Sequence, residues 1–118
     1  MYELSVCTNN GDVLRRFDLS RLAKAGKRIR VGRAEDCDIR IKNDSVSRHH
    51  CEIEPLDEDE WVIRDTNSTA GVVVDGRKVT EAEIESGLVV HIGPAVLRFV
   101  SLTAKIAADL ERELGSEE

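Results

Sequence analysis

What most constrains this chain is an alternation of period two. Apolar residues alternate with polar ones in short runs: Tyr2/Leu4/Val6, Ile29/Val31, Ile39/Ile41, Cys51/Ile53, Trp61/Ile63, Val72/Val74, Val90/Ile92 and Val96 through Val100. That period puts every second side chain on one face, as half-buried strands require. Turn formers punctuate the runs at Asn9-Asn10-Gly11-Asp12, Lys42-Asn43-Asp44-Ser45, Asp57 to Glu60, Thr66 to Gly71 and Asp75-Gly76. Strands so divided, at spacings of roughly ten residues, predict an all-β sandwich or barrel. The firmest single element is a hairpin of Val72-Val73-Val74 and Arg77-Lys78-Val79, because Asp75-Gly76 supplies the two positive-φ residues of a type I′ turn.

Near the C-terminus the period changes. Leu102, Ile106, Leu110 and Leu114 recur every four residues with alanines between them, which predicts an amphipathic α-helix over 102–115. Ser101 or Thr103 can cap its start and Gly115 its end, leaving 116–118 as a frayed tail. The helix is expected to pack against the sandwich of residues 1–101; docking onto a partner or a second copy is the alternative. The 118 residues otherwise suit one domain with one core.

Charge narrows the function classes. With 17 basic and 23 acidic residues the net charge is −6, which opposes general binding to nucleic-acid backbones. Residues 15–33 nevertheless carry eight basic side chains against the single acid Asp18, a local excess of +7 that is either a solvated face or a field for an anionic ligand. No apolar run approaches the roughly 20 residues of a membrane span. The start shows no basic stretch followed by an apolar one, so a secretory signal is not expected and the expected location is cytoplasmic, or nuclear in a eukaryote. Cys7, Cys37 and Cys51, odd in number and far apart, suit buried thiols better than a disulfide framework.

A search for catalytic chemistry returns little. The sequence has no phosphate loop, no dinucleotide-binding glycine pattern and no nucleophile elbow. Ser47 and His50 stand three apart, but no third group is recommended by spacing. Neither C-x-x-C nor H-x-x-x-H occurs, so neither a metal nor a cofactor is expected. What stands out instead is small polar and basic residues at strand ends: Gly32-Arg33, Val46-Ser47-Arg48-His49-His50 and Asn67-Ser68-Thr69-Ala70-Gly71. Gathered at one end of a sandwich, these loops make a nest for a doubly charged phosphate group.

The ordered series Gly32-Arg33, Asp38-Ile39-x-Ile41, Val46-Ser47-Arg48-x-His50 with Ile53, Asp65-x-x-Ser68-Thr69, Gly71, Val74-Asp75-Gly76 and His91-Ile92-Gly93 resembles the forkhead-associated (FHA) domain family. The likeness covers residue 2 to about residue 100. It implies an FHA-like β-sandwich of two twisted sheets and about eleven strands, with loops at one end that bind phosphothreonine peptides. Carried over position by position, it implies that Arg33, Ser47, Arg48 and Thr69 hold the phosphate. Gly32 and His50 take structural roles, one permitting close backbone approach and one pinning the binding loops, while His49 is given no role. Asn43, Ala70 and Asp75 fall on the peptide-contacting positions.

One departure matters. Where the family has Ser-Thr-Asn-Gly-Thr, this chain has Ser68-Thr69-Ala70-Gly71-Val72, so the amide that bonds the peptide main chain is replaced by a methyl group. The resulting expectation is a non-catalytic adaptor that binds a phosphothreonine-containing protein in a Ser/Thr kinase pathway, as a monomer or weak homodimer. The alternative is a degenerate FHA scaffold that binds a partner, or itself, without phosphate.

Overall fold

The computed structural model describes residues 1–57, 59–103, 106 and 110. Eleven strands run in chain order: β1 (Tyr2–Cys7), β2 (Val13–Asp18), β3 (Ile29–Gly32), β4 (Ile39–Arg40), β5 (Cys51–Asp57), β6 (Glu60–Asp65), β7 (Val72–Val74), β8 (Arg77–Val79), β9 (Glu81–Glu83), β10 (Val89–Ile92) and β11 (Ala95–Ser101). They form a six-stranded sheet of order β2-β1-β11-β10-β7-β8 and a five-stranded sheet of order β4-β3-β5-β6-β9. Pairing is antiparallel except between β3 and β4, where Val31 lies beside Ile39. Short helical turns at Leu19–Leu22 and Lys24–Gly26 connect β2 to β3, and the Asp18 carboxylate caps the first by accepting from the Ser20 amide at 2.9 Å.

The alternating residues meet between the sheets. Leu4, Ile29, Val31, Ile39, Ile53, Ile63, Val72, Val90, Ile92, Leu97 and Phe99 are all fully buried. At about 1.5–3 kcal/mol per fully buried side chain, this shared layer is the main stabilising element of the fold. Cys7, Cys37 and Cys51 are free and buried, as their spacing led one to expect. The Asp75-Gly76 hairpin forms as expected, with φ of 51° and 77° at its turn and Val74 opposite Arg77.

The C-terminal expectation is not supported. Most of residues 104–118 lie outside the described residues, and the two stripe positions described there, Ile106 and Leu110, are 61% and 52% exposed. Neither is covered by the sandwich. Among the described residues, no helix is long and apolar enough to cross a membrane.

Candidate functional site

Three loops follow from the strand order: 33–38 after β3, 41–50 between β4 and β5, and 66–71 between β6 and β7. The first two are locked together by their backbones. The Arg33 amide donates to the Ser47 carbonyl and the Ala34 amide to that of Arg48, both at 3.0 Å, while the His50 amide reaches the Val31 carbonyl at 2.9 Å. Only glycine at position 32 permits this approach, since a Cβ there would stand 2.2 Å from the Arg48 carbonyl oxygen. Gly32→Ala is therefore expected to destabilise the fold by about 1–3 kcal/mol, the usual cost of forced overpacking. Chemical denaturation checks it.

His50 ties in the third loop. Completely buried, it accepts the Ser47 amide on Nδ1 at 3.1 Å and donates from Nε2 to the Gly71 carbonyl at 2.8 Å. Those two bonds fix the tautomer with its proton on Nε2. They also remove the Ser47–His50 pair from catalysis, because the ring nitrogen facing Ser47 is occupied by its amide and not by its hydroxyl. Within the third loop the Asp65 carboxylate accepts from the Ser68 hydroxyl at 2.5 Å, and the Ser68 Oγ accepts the Gly71 amide at 3.0 Å.

The polar groups so positioned keep donor capacity, with Arg33 and Ser47 half-buried. The Ser47 Oγ accepts the Thr69 amide at 3.0 Å, which leaves its own proton available for an incoming anion. The Arg33 Nε donates to the Val46 carbonyl at 3.1 Å and has no carboxylate partner among the described residues, so the rest of the fork can serve two further acceptors. Arg48 and Thr69 are exposed on the flanking loops. The structure thus joins Arg33, Ser47 and Thr69 directly, and sets Arg48 next in the chain.

The peptide positions divide. Asn43 shapes the second loop: its Oδ1 accepts the Ser45 amide at 2.8 Å, and its carbonyl accepts the amide of Val46, the residue that holds Arg33. Beside it lies a groove of about 690 Å³ bordered by Leu14, Arg40, Ile41, Lys42 and Pro94. Ala70 lies in the third loop, between Thr69 and Gly71. Asp75 does not join this group. It sits in the turn at the far end of β7, a three-residue strand and so about 10 Å long.

Two features escaped sequence reasoning. The Lys78 stem packs over Gly71, and its ammonium donates to the Thr69 carbonyl at 3.5 Å, a contact that depends on the β7–β8 register. On the neighbouring face Asp36, Cys37 and His49 converge, with the His49 Nε2 at 2.9 and 3.1 Å from the two Asp36 oxygens. The bond to His49 holds the Asp36 carboxyl below its ordinary range, whereas burial pushes the Cys37 thiol up. Burial also raises the Cys51 thiol, which leaves it an inert core group.

Comparison with known proteins agrees with this geometry. The family model described as the FHA domain matches residues 29–93, from β3 to just past β10. The FHA domain-containing protein FhaB of Mycolicibacterium smegmatis is 32% identical over 79 residues, covering 66% of this chain and 50% of its own length. The chain therefore spans half the length of that relative. Among solved structures, the FhaA FHA domain complexed with the intracellular domain of Rv3910 superposes with a TM-score of 0.69 at 26% identity, covering 84% of this chain and 99% of that one. Mycobacterium tuberculosis EmbR in complex with a low-affinity phosphopeptide gives a TM-score of 0.66 at 26% identity, covering 83% of this chain and 24% of the other. With the matched segment containing Gly32, Arg33, Ser47, His50 and Gly71, the chain belongs to the FHA domain family.

Proposed function

We propose that this chain is a non-catalytic reader of phosphothreonine-containing proteins, acting as an adaptor downstream of a Ser/Thr kinase. The observation that carries the reading is the joining of Arg33 and Ser47 through Gly32 and His50, which brings a guanidinium fork with no carboxylate partner among the described residues and a hydroxyl with an uncommitted proton into adjoining loops. A phosphate dianion accepts from both, and such charge-assisted bonds are roughly twice as strong as neutral ones. Arg48 and Thr69 supply further donors, and residues flanking the phosphothreonine find the groove beside Asn43. The phosphopeptide held by the EmbR relative supports the same use of the fold.

Ala70 favours a second reading, a scaffold that binds a protein without phosphate, because a methyl group stands at position 70 where the family has a side-chain amide to hold the peptide main chain. A peptide array probed in phosphorylated and unphosphorylated forms separates the two. The proposed reader retains only phosphorylated peptides; equal retention of both forms supports the scaffold. Ala70→Asn supplies one neutral hydrogen bond, about 0.5–1.5 kcal/mol, so affinity for a phosphopeptide from the array should rise roughly 2- to 12-fold. Calorimetry measures it, with no gain expected for the unphosphorylated peptide.

A further inference from the structure

We propose that Asp36, Cys37 and His49 form a binding site for a divalent transition-metal ion of the zinc class, where the 33–38 and 41–50 loops meet. One carboxylate oxygen, one sulfur and one ring nitrogen all lie within 4.8 Å of one another. This mixed donor set suits a borderline-soft ion and disfavours magnesium or calcium, which take oxygen ligands. Zinc bonds of about 2.0–2.3 Å set tetrahedral donor separations at roughly 3.3–3.8 Å. The Asp36–His49 pair, at 2.9–3.1 Å, opens by a few tenths of an ångström to admit the ion, and the closing movement falls on Cys37.

The backbone under these donors is fixed independently of any ion. The Cys37 amide bonds the Ala34 carbonyl at 3.2 Å, the Ala34 amide bonds the Arg48 carbonyl at 3.0 Å, and the Thr66 hydroxyl donates to the His49 carbonyl at 2.7 Å. The side chains of Asp36 and His49 remain half exposed and free to adjust. A cavity of about 250 Å³, bordered by Arg30, Asp36, His49, Cys51, Glu52 and Thr66, adjoins the Asp36 and His49 donors and leaves room there for a water as fourth ligand.

Coordination requires one net deprotonation. The Cys37 thiol, which donates to the Arg48 carbonyl at 3.2 Å, gives its proton to solvent and binds as thiolate. Coordination breaks the Nε2–H bond from His49 to the Asp36 carboxylate: the ring proton moves through solvent from Nε2 to Nδ1, His49 binds through the freed Nε2 lone pair, and Asp36 binds as the carboxylate it already is. The Arg30 guanidinium, 3.3 Å from Asp36, competes with the ion for that carboxylate.

The test is titration of the reduced chain with cobalt(II), followed by displacement with zinc. A thiolate-to-cobalt charge-transfer band and tetrahedral d–d bands are expected, both bleached by zinc. Cys37→Ser, which keeps a donor to the Arg48 carbonyl, should abolish the charge-transfer band, and Cys7→Ser should leave it. His49→Ala and Asp36→Asn, both at exposed positions, should each weaken zinc binding by at least the roughly 10–100-fold that loss of an outer-shell partner costs. Absence of the band, its survival in Cys37→Ser, or unchanged zinc affinity in His49→Ala and Asp36→Asn overturns the proposal.

Discussion

Arg33→Ala is expected to abolish measurable phosphopeptide binding and to leave the fold intact. A hydrogen bond from a charged donor to phosphate contributes about 1.5–3 kcal/mol, so each one lost lowers affinity by roughly 10- to 150-fold. The fork presents more than one donor, and losing two takes a micromolar complex out of range. The fold is expected to survive because the side chain is only half-buried, and its one observed bond, to the Val46 carbonyl, is not part of the core. Arg33→Lys should recover only part of the affinity, since it restores the charge without the planar fork. Isothermal titration of the three proteins with one phosphopeptide gives the ranking; wild-type affinity in Arg33→Ala would remove Arg33 from the site.

The second large effect concerns stability. His50→Ala deletes a completely buried ring and strands the Ser47 amide and the Gly71 carbonyl, the two groups it bonds at 3.1 and 2.8 Å. Each stranded buried group costs about 1–3 kcal/mol, and the cavity left behind adds to that. A loss of about 3 kcal/mol or more is expected, read as a lowered urea midpoint. Binding should fall too, because the Ser47 and Thr69 loops lose the link that aligns them. Unchanged stability would mean that the ring is not the tie between these loops.

These two residues illustrate what a sequence of this kind discloses. Strands with one buried face were legible because Leu4/Val6, Ile29/Val31 and Val90/Ile92 alternate as the pleat does. β2 was not, since Val13, Leu14, Arg15 and Arg16 are all exposed on an edge strand and no alternation is imposed on them. The Asp75-Gly76 turn was legible from local chemistry alone. Its distance from the Thr69 loop depends on β7 being only three residues long, a length that local chemistry does not fix.

Within the site, Gly32 could be read as a point of close approach, but not that the approach is to the Arg48 carbonyl. The three-residue spacing of Ser47 and His50 carried no assignment by itself; the structure shows that the ring takes the amide and leaves the hydroxyl proton free. The Asp36–Cys37–His49 group has no signature spacing, because it arises where two loops separate in sequence, 33–38 and 41–50, are joined by their backbones. The C-terminal stripe shows the converse case. Its period of four is clear in the sequence, yet a period names no partner, and Ile106 and Leu110 find no cover on the sandwich.

The central claim is that this end of the sandwich binds peptide through phosphate. The most direct measurement is an NMR titration of isotopically labelled protein with one array-selected peptide in matched phosphothreonine and threonine forms. The account predicts saturable amide shifts at Arg33, Ser47, Arg48 and Thr69 with the phosphorylated peptide, and none with its unphosphorylated twin. Shifts of equal size with both peptides, or shifts confined to residues remote from these loops, would contradict it.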